Sequence, residues 1–477
     1  MLPKNKLVYG SNVESSAARS YRSNIQPMNG TGTYKEGDTI TINIPTRNNL
    51  VLVPEESVLK FILTYTAGAA SDIIRLDSCG AHGVIDRIRV WHGSNLLEDI
   101  TAYGVLAKMM FDLQVSSDAT YGKHSILSGT RNDLVVTFPT VADTDFTAGG
   151  AKWSGLRLPV LQVNSGYRIS GNAVIASAGT CSQTFAINLI SLVGSLGATK
   201  YINCTSSPIR VEFTLASSAL GTAACAVATT MTITNCEYIA QFIELNDTAM
   251  STISNSQQGQ PIQYVFQDYR NYQYTAFIPA TTVTTITMPI PAKFASLKSL
   301  FITSRDNAKI ALATYFPYSC NKFSISSYFF RIGSSLLPSK VPDNIAEMFA
   351  ETCKAIASIS DLNHHPSIEL TSYSLDVSAA NSTAKQGDLA TTLDTTAGAS
   401  LLPSNVNSGS FYVGLDLENY ANSDKSQIFA GWNSSTDDIY YIPTFAAQTN
   451  ATVVRFDAFA LYDSLLVFEN NTCYVKY

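Results

Sequence analysis

The sequence has 477 residues, of which 45% are hydrophobic and 14% are charged, and its formal net charge is −6 at neutral pH. This length exceeds the roughly 250–300 residues at which a single hydrophobic core stops growing, so we expect two domains. The negative net charge excludes a general nucleic-acid binder. The sparse charge, against about 25% in a typical domain, suits a surface that copies of the same chain largely cover.

The first 36 residues show no apolar periodicity and predict an extended N-terminal arm. Its basic residues Lys4, Lys6, Arg19 and Arg22 outnumber Glu14, the one acid among the first 34 residues. They could meet nucleic acid or anionic lipid head groups, or form a solvated tail. No segment resembles a signal peptide or reaches the ~20 apolar residues of a membrane helix, so we expect a soluble protein made in a cytoplasm.

Short strand patterns follow the arm. Residues 39–44, "TITINI", alternate between polar residues and isoleucine, which is typical of a half-buried strand. Similar alternating or apolar runs begin at Ser57, Gly83, Leu134, Gln183, Pro208 and Thr230. Gly, Ser, Asn and Thr fill the connections between them. This pattern predicts an antiparallel sandwich or barrel.

One stretch of the first half departs from the strand pattern. "GSNLLEDITAYGVLAKMMFDL" begins at Gly93 and predicts a helix, with Asn95 and Glu98 as a capping box. The inner face of this helix should consist of residues at three- and four-residue steps, namely Ile100, Tyr103, Leu106, Met110 and Leu113.

A second copy of this pattern, in which Gly-Ser-x-Leu-Leu joins a strand to a helix, begins at Gly333 with "GSSLLPSKVPDNIAEMFAETCKAI". Pro342 suits the first turn of that helix because proline has no N–H to leave unpaired. Its expected inner face consists of Ile345, Met348, Phe349, Thr352 and Ile356.

The duplication extends beyond the helices. Before each strand-to-helix pattern lies an alternating strand that ends in Ile-Pro, with the isoleucine at Ile44 in the first half and at Ile290 in the second. Each half also ends in a long apolar strand, which begins at Thr232 in the first half and at Phe456 in the second. Three matches in the same order indicate an internal repeat of about 220–240 residues, which is too long for a solenoid unit and is the length of one sandwich with long loops. We therefore predict an arm at 1–36, a first sandwich at 37–254 and a second at 255–477.

Catalytic and metal-binding patterns are absent from the sequence. It contains no GxSxG, P-loop, dinucleotide fingerprint or calcium loop. The pair His364–His365 lacks the spacing that places two imidazoles on one ion. Adjacent acids such as Glu55–Glu56 and Asp437–Asp438 point apart on a strand or turn. The eight cysteines form no CxxC pair and predict buried free thiols. We predict no catalytic, cofactor-binding or metal-binding residue and no enzyme.

Aromatic residues are dense between Tyr264 and Phe277, in "YVFQDYRNYQYTAF". Such a segment could bind sugar, or it could contact another domain or subunit, where tyrosine is enriched. We favour the contact interpretation.

The architecture and the segment 85–114, "IDRIRVWHGSNLLEDITAYGVLAKMMFDLQ", resemble the double jelly-roll major capsid proteins of icosahedral DNA viruses. The resemblance implies an all-β fold of two consecutive eight-stranded jelly-roll sandwiches, each with an inserted helix. It implies homotrimers that form pseudo-hexagonal tiles, with neighbouring trimers and penton or minor capsid proteins as partners. It also implies a location in the virion after synthesis in the host cytoplasm. The arm with Lys4, Lys6, Arg19 and Arg22 would then face the shell interior, towards a membrane or the genome.

Two other functional classes remain open at this point. A trimeric carbohydrate-binding spike or adhesin fits the tyrosine-rich segment, but it would be expected to pair two dissimilar sandwiches, and the order-preserving duplication argues against it. A sandwich-fold glycoside hydrolase is disfavoured because convergent acids are missing.

Overall fold

The computed structural model describes residues 18–30, 32–66, 73–130, 136–137, 180–197, 200–205, 207–216, 222–224, 230–249, 251, 261–310, 316–360, 366–374, 408–419, 430–469 and 472–477. The first half contains the strands β1 (Ala18–Ile25), β2 (Thr39–Ile44), β3 (Leu50–Thr66), β4 (Ile73–Leu76), β5 (Ile85–His92), β6 (Asn95–Thr101), β7 (Val136–Thr137), β8 (Thr180–Ile187), β9 (Ile202–Asn203), β10 (Ile209–Leu215), β11 (Thr222–Ala224) and β12 (Thr230–Leu245). Its helices are α1 (Tyr103–Gln114), α2 (Ser117–Tyr121) and α3 (Lys123–Leu127), with short 3₁₀ turns at Gly80–Val84 and Ser195–Gly197.

The second half contains the strands β13 (Ile262–Ile278), β14 (Thr284–Thr285), β15 (Met288–Ile290), β16 (Leu297–Asp306), β17 (Ile325–Ile332), β18 (Ser335–Leu337), β19 (Tyr412–Asp416), β20 (Ile439–Phe445), β21 (Thr452–Glu469) and β22 (Thr472–Lys476). Its helices are α4 (Ile345–Lys354) and α5 (Leu370–Ser374). None of the helices in the described ranges is long and apolar enough to cross a membrane.

The two halves share one strand order. The main sheets of the first half run β1-β12-β3-β8 and β2-β10-β5-β6, and those of the second run β13-β21-β16-β19 and β15-β20-β17-β18. The eight principal strands of the first half are β1, β2, β3, β5, β6, β8, β10 and β12, and those of the second half are β13 and β15 to β21. If these strands are numbered 1 to 8 along the chain, the two sheets of each half have the strand orders 1-8-3-6 and 2-7-4-5. This is the antiparallel arrangement of a jelly roll. The predicted fold class is confirmed, and we call the halves the first roll (β1 to β12) and the second roll (β13 to β22).

The sequence repeats fall on equivalent elements of the two rolls. Ile44 ends β2 and Ile290 ends β15, which are the second principal strands, and the two long apolar strands are the eighth, β12 and β21. The helices α1 and α4 both lie between the fifth and sixth principal strands. The additional strands pair outside this scheme: β9 with β3, β14 with β20, β22 with β21, and β4 with β7 and β11.

Part of the predicted arm is a paired strand. Ala18–Ile25 form β1 and pair with β12 along their whole length, from Ala18 opposite Leu245 to Ile25 opposite Tyr238. Tyr21 and Ile25 pack against the core of the first roll, which explains why this polar stretch joins the sheet. Lys4 and Lys6 lie outside the described residues.

The predicted helix start at Gly93 is wrong. Residues Asn95–Thr101 form β6, which pairs with β5, and α1 begins only at Tyr103. Gly93 and Ser94 make a two-residue hairpin turn in which Gly93 has φ 58°, the positive value that glycine adopts at the first central position of such turns. The capping box of Asn95 and Glu98 therefore does not exist, because strand pairing with β5 supplies the backbone partners that a cap would have provided.

Gly-Ser-x-Leu-Leu marks the same hairpin in both rolls. Gly333 has φ 56° and, with Ser334, joins β17 to β18. Further along, Asn344 caps α4 by accepting a hydrogen bond from the N–H of Glu347 at 2.9 Å, so Pro342 precedes the helix instead of lying in its first turn.

The predicted inner faces of the two helices are confirmed only in part. Ile100 lies in β6, and every residue of α1 from Tyr103 to Leu113 is buried, so α1 does not have the exposed polar face of an amphipathic helix. Ile100, Tyr103, Leu106, Met110 and Leu113 are all buried. In the second copy Met348, Thr352 and Ile356 are buried, and Ile345 and Phe349 pack at the edge of the core.

Candidate functional site

In the sheet β13-β21-β16-β19 of the second roll, the inner strand β16 is covered on both faces. All ten residues of β16 are buried, although a strand with one solvated face would alternate. Leu300 and Ile302 point into the core of the second roll, whereas Phe301 packs with residues of the first roll. Phe459 and Leu461 of β21 also pack with residues of the first roll. One roll therefore packs directly on the outer face of the other, and we call this contact the inter-roll junction.

Helix α1 places a buried cation at the junction. The Nζ of Lys108 lies 2.9 Å from Oδ2 of Asp112 and 3.3 Å from Oδ1 of Asp77, and it donates to Oγ of Ser78 at 2.8 Å. Burial lowers the pKa of Lys108, but the carboxylates of Asp112 and Asp77 outweigh burial and raise this pKa above its ordinary value. Lys108 therefore stays protonated between two carboxylates.

The second roll completes this network. The hydroxyl of Tyr412 donates to Oδ2 of Asp112 at 2.6 Å, and Ser410 donates to the same oxygen at 2.8 Å. Ser408 donates to Oδ1 of Asp77 at 2.7 Å. Charge-assisted hydrogen bonds of this kind are stronger than neutral ones and directional, so they fix how the second roll sits on α1.

A tyrosine from the second roll reaches the first roll beside the same helix. The hydroxyl of Tyr318 donates to the carbonyl oxygen of Gly83 at 2.7 Å. The ring of Tyr318 occupies the space that a side chain at Gly104 would need, since a Cβ there would lie 2.4 Å from Cζ of the ring. Gly104 is therefore required by the junction and not by the backbone of α1.

We expect Gly104→Ala to lower the free energy of unfolding by about 1–2 kcal/mol. Alanine favours a helix by up to ~1 kcal/mol over glycine, but forcing a methyl group into a packed contact costs about 1–3 kcal/mol, and the overlap with Tyr318 leaves little room to relax. Chemical denaturation of Gly104→Ala, Tyr318→Ala and the double variant measures the coupling. In the Tyr318→Ala background the Gly104→Ala change should become neutral or stabilising, and an unchanged penalty there would contradict the clash.

The C-terminal strand binds the β5–β6 hairpin of the first roll. The backbone N–H of Cys473 donates to Nδ1 of His92 at 3.2 Å, and the amide of Asn95 donates to the carbonyl oxygen of Cys473 at 3.0 Å. The ring of His92 meets Phe468 edge-on, with centroids 6.5 Å apart. The hairpin tip of one roll is thus attached to β21 and β22 of the other.

Two buried acids from opposite rolls influence each other at the junction. Glu98 of β6 accepts hydrogen bonds from the hydroxyl of Ser191 and from the N–H of Leu192, and Asp268 of β13 accepts one from the hydroxyl of Tyr462 at 2.7 Å. Burial raises the pKa of Glu98, and the charge of Asp268 raises it further. Burial likewise raises the pKa of Asp268 to about 6.

This raised pKa predicts a pH-dependent contribution to stability from Asp268. Since the unfolded value is 3.8 and the folded value is about 6, the contribution is fully present below pH 3.8 and is lost as the pH rises through about 6. Relative to Asp268→Asn, the wild type should lose about 2 kcal/mol of unfolding free energy between pH 4 and pH 7. Denaturant titrations of both proteins at each pH give this difference in unfolding free energy. Because the two proteins contain the same histidines, the contribution of histidine titration cancels in the difference. A difference that does not vary with pH would contradict the assignment.

The tyrosine-rich segment forms β13, and its two ends have different surroundings. Phe266 and Tyr269 are buried against the first roll, in agreement with the contact interpretation. Tyr272 and Tyr274 instead line a cleft of about 580 Å³ between the rolls, together with Arg455.

The four basic residues predicted for the arm are only partly within the described residues. Arg19 and Arg22 lie on the edge strand β1, where both are exposed. His364 and His365 fall outside the described ranges. In those ranges, no group of three or more His, Cys, Asp or Glu side chains could hold a metal ion. The cysteines Cys79, Cys204, Cys236, Cys320 and Cys473 are buried free thiols, and Cys353 is partly exposed.

Sequence reasoning missed the residues that join the rolls. A signal existed for Lys108 and Asp112, because a lysine and an acid four residues apart interrupt an otherwise apolar helix. No comparable signal identified Ser408, Ser410 or Tyr412, which lie about 300 positions further along the chain.

Comparisons with known proteins agree with this architecture. No protein-family model matches the sequence, and no curated protein matches it. Among solved structures, the mavirus major capsid protein superposes with a TM-score of 0.56 at 12% identity, covering 100% of this chain and 95% of that one. A chain of the Sputnik virophage superposes with a TM-score of 0.57 at 9% identity, covering 100% and 92%. The Faustovirus major capsid protein gives 0.52 at 9%, covering 97% and 92%. At these identities the likeness shows the fold, which is the double jelly roll of viral major capsid proteins.

Proposed function

We propose that this chain is the major capsid protein of an icosahedral DNA virus. The observation that carries the proposal is that the capsid-protein fold extends over both rolls, with the same strand order in each. Three chains then supply six similar rolls, which form a pseudo-hexagonal tile with closed three-fold symmetry. Such a tile can pack against six neighbours and cover a shell. On this proposal the protein acts through geometry and catalyses no reaction.

The junction suits this role because a tile needs a fixed angle between its rolls. Domains of one chain normally move relative to each other unless their interface is large and hydrophobic. Here all ten residues of β16 are buried, and the hydrogen bonds of Lys108 and Asp112 add directional contacts. A rigid pair of rolls allows three chains to close into one defined tile.

The same topology in both rolls favours the capsid role over a trimeric carbohydrate-binding spike. A spike would need one sandwich for trimer formation and a different one for its ligand. Repeated topology instead suits six similar positions around a ring.

The proposal extends to the segments at the ends of the rolls. We divide the chain into an arm at 1–36, a first roll at 37–254 and a second roll at 255–477, with β1 as a strand that the arm contributes to the first sheet. The basic residues Lys4, Lys6, Arg19 and Arg22 would face the shell interior, where a membrane or the genome lies. Neighbouring trimers and penton or minor capsid proteins would be the other partners, after synthesis in the host cytoplasm.

Electron microscopy and light scattering of the purified full-length protein test the function. We expect trimers of about three times the 51.5 kDa chain mass, and hexagonal plates or shells at high concentration. Stable monomers or elongated spikes would overturn the capsid role. Limited proteolysis of assembled particles tests the arm separately: protection is expected, and ready cleavage from outside would refute the interior placement.

A further inference from the structure

A cleft of about 580 Å³ lies where the two rolls meet, beside the edge strand β13. The first roll lines it with the start of β5 and the end of β6, and the second roll lines it with β13, β15, β16, β20 and β21. Consecutive residues 271–274 of β13 all belong to the lining, so the cleft extends around this edge strand. Its volume lies within the range of about 300–1,000 Å³ that is typical of ligand pockets.

Two tyrosine side chains form an aromatic wall of the cleft. Tyr272 and Tyr274 lie two positions apart on β13 and therefore point to the same side of the strand, with their Cα atoms about 7 Å apart. Tyr274 is 37% exposed, whereas Tyr272 is half-buried against the core of the second roll. Met288 and Ile290 of β15 add apolar side chains to the lining. The wall offers aromatic surface on which a ligand can pack.

Polar side chains of both rolls complete the lining. Asp86 of β5 and Gln273 of β13 are exposed, and Thr101 of β6 is half-buried. The side chain of Arg455 is 29% exposed and adds guanidinium donors. A carboxylate accepts hydrogen bonds, a guanidinium donates them, and amides and hydroxyls do both. The cleft therefore combines aromatic surface with side chains that suit a ligand carrying several hydroxyl groups.

The charges of the cleft are already compensated. Arg87 makes two hydrogen bonds of 2.7 Å to the carboxylate of Asp99, and Nε of Arg455 lies 3.6 Å from Asp457. Burial raises the pKa of Asp86, whereas the positive charge of Arg455 acts to lower it. Because each charged group of the lining has a neighbour of opposite sign, a ligand gains little electrostatic energy from a net charge of its own. A neutral ligand fits this cleft better than an ion.

We propose that this cleft binds a short neutral oligosaccharide. The apolar C–H face of a sugar ring packs on Tyr272 and Tyr274. Sugar hydroxyl groups donate to Asp86, accept from Arg455 and do both with Gln273. One uncharged ligand thus meets the carboxylate, the guanidinium and the amide together. The inference goes beyond the proposed function, because two rolls can tile a shell without binding a sugar.

Saturation-transfer NMR on the full-length protein tests the proposal, because this method detects weak ligands of large proteins. The probes are maltose, lactose, cellobiose and N,N′-diacetylchitobiose, each added over a concentration series. We expect at least one of them to bind with a dissociation constant of about 0.1–10 mM. The ring C–H protons of the bound sugar should receive the strongest saturation, since they face the tyrosine rings.

Variants of the lining assign the binding to this cleft. Tyr274→Ala and Asp86→Ala should each weaken binding by about tenfold or more, whereas Tyr274→Phe should stay within about threefold of the wild type because it keeps the ring. Tyr201→Ala is the matched control, because Tyr201 is 55% exposed and lies outside the cleft. It should bind the sugar as the wild type does. Circular dichroism and thermal melts establish that each variant is folded.

Three results would overturn the sugar site. The first is that none of the four disaccharides binds the wild-type protein. The second is that a disaccharide binds but folded Tyr274→Ala and Asp86→Ala bind it equally well, which would place the sugar elsewhere. The third is that acetate or methyl phosphate binds in place of the disaccharides, which would assign the cleft to anions.

Discussion

Replacing Lys108 by methionine is expected to lower the free energy of unfolding by about 3–5 kcal/mol, the usual cost of leaving buried charges without their partner. The change removes the ammonium group while keeping a long side chain, so the carboxylates of Asp77 and Asp112 remain buried without a cation. Urea titration followed by fluorescence measures the loss. The matched control is Lys354→Met, which removes an exposed ion pair with Glu351 and should cost at most about 1 kcal/mol.

Neutralising the acids together with the lysine distinguishes charge from packing. A triple variant, Lys108→Met with Asp77→Asn and Asp112→Asn, should recover a large part of the loss, because replacing a whole buried ionic group is often close to neutral. A triple variant as unstable as Lys108→Met would show that the cost comes from packing alone. A single variant that loses less than about 1 kcal/mol would contradict the description of a paired, buried ammonium.

Arg305→Met is expected to have an effect of similar size, about 3–5 kcal/mol. The guanidinium of Arg305 donates from Nε and Nη2 to Oδ2 of Asp457, at 3.0 and 2.6 Å, and from Nη1 to the carbonyl oxygen of Pro317 at 3.0 Å. The variant would leave Asp457 buried beside the weaker contact of Arg455, and it would release the segment that positions Tyr318 at the junction.

Arg455→Met is the matched control for this second prediction. Its Nε lies 3.6 Å from Asp457, and its side chain is 29% exposed, so its removal should cost about 1 kcal/mol or less. Thermal unfolding of both variants, followed by circular dichroism, checks the difference. Equal losses for the two arginines would contradict the assignment of Arg305 as the main partner of Asp457.

Much of the fold could be predicted from the sequence because the signal is local. The alternation in residues 39–44 fixes which side of β2 faces the core, and the pairs at Ile44 and Ile290 mark equivalent strands. The stretch after Gly93 shows where local signals fail. "NLLED" contains a plausible helix start, yet pairing with β5 turns it into β6, because the partner strand offers hydrogen bonds that no sequence window contains.

The junction is less predictable for the same reason. Lys108 in an apolar helix suggests a buried partner, but Ser410 and Tyr412 are brought to Asp112 only by the packing of one roll on the other. The pKa of Asp268 rises because the first roll covers it. Whether a charged side chain is buried depends on the residues that pack over it, and here these residues are distant from it in the sequence.

The sequence by itself determined the all-β class, the duplication and the residues that fill each core, since side-chain periodicity follows directly from strand and helix geometry. Only the tertiary structure decided that Gly-Ser-x-Leu-Leu is a hairpin, that β16 is buried on both faces, and that Lys108 and Asp112 join two rolls. These features depend on contacts between segments hundreds of residues apart. Their energies come from removing charges and apolar surface from water, which happens only when the two rolls meet.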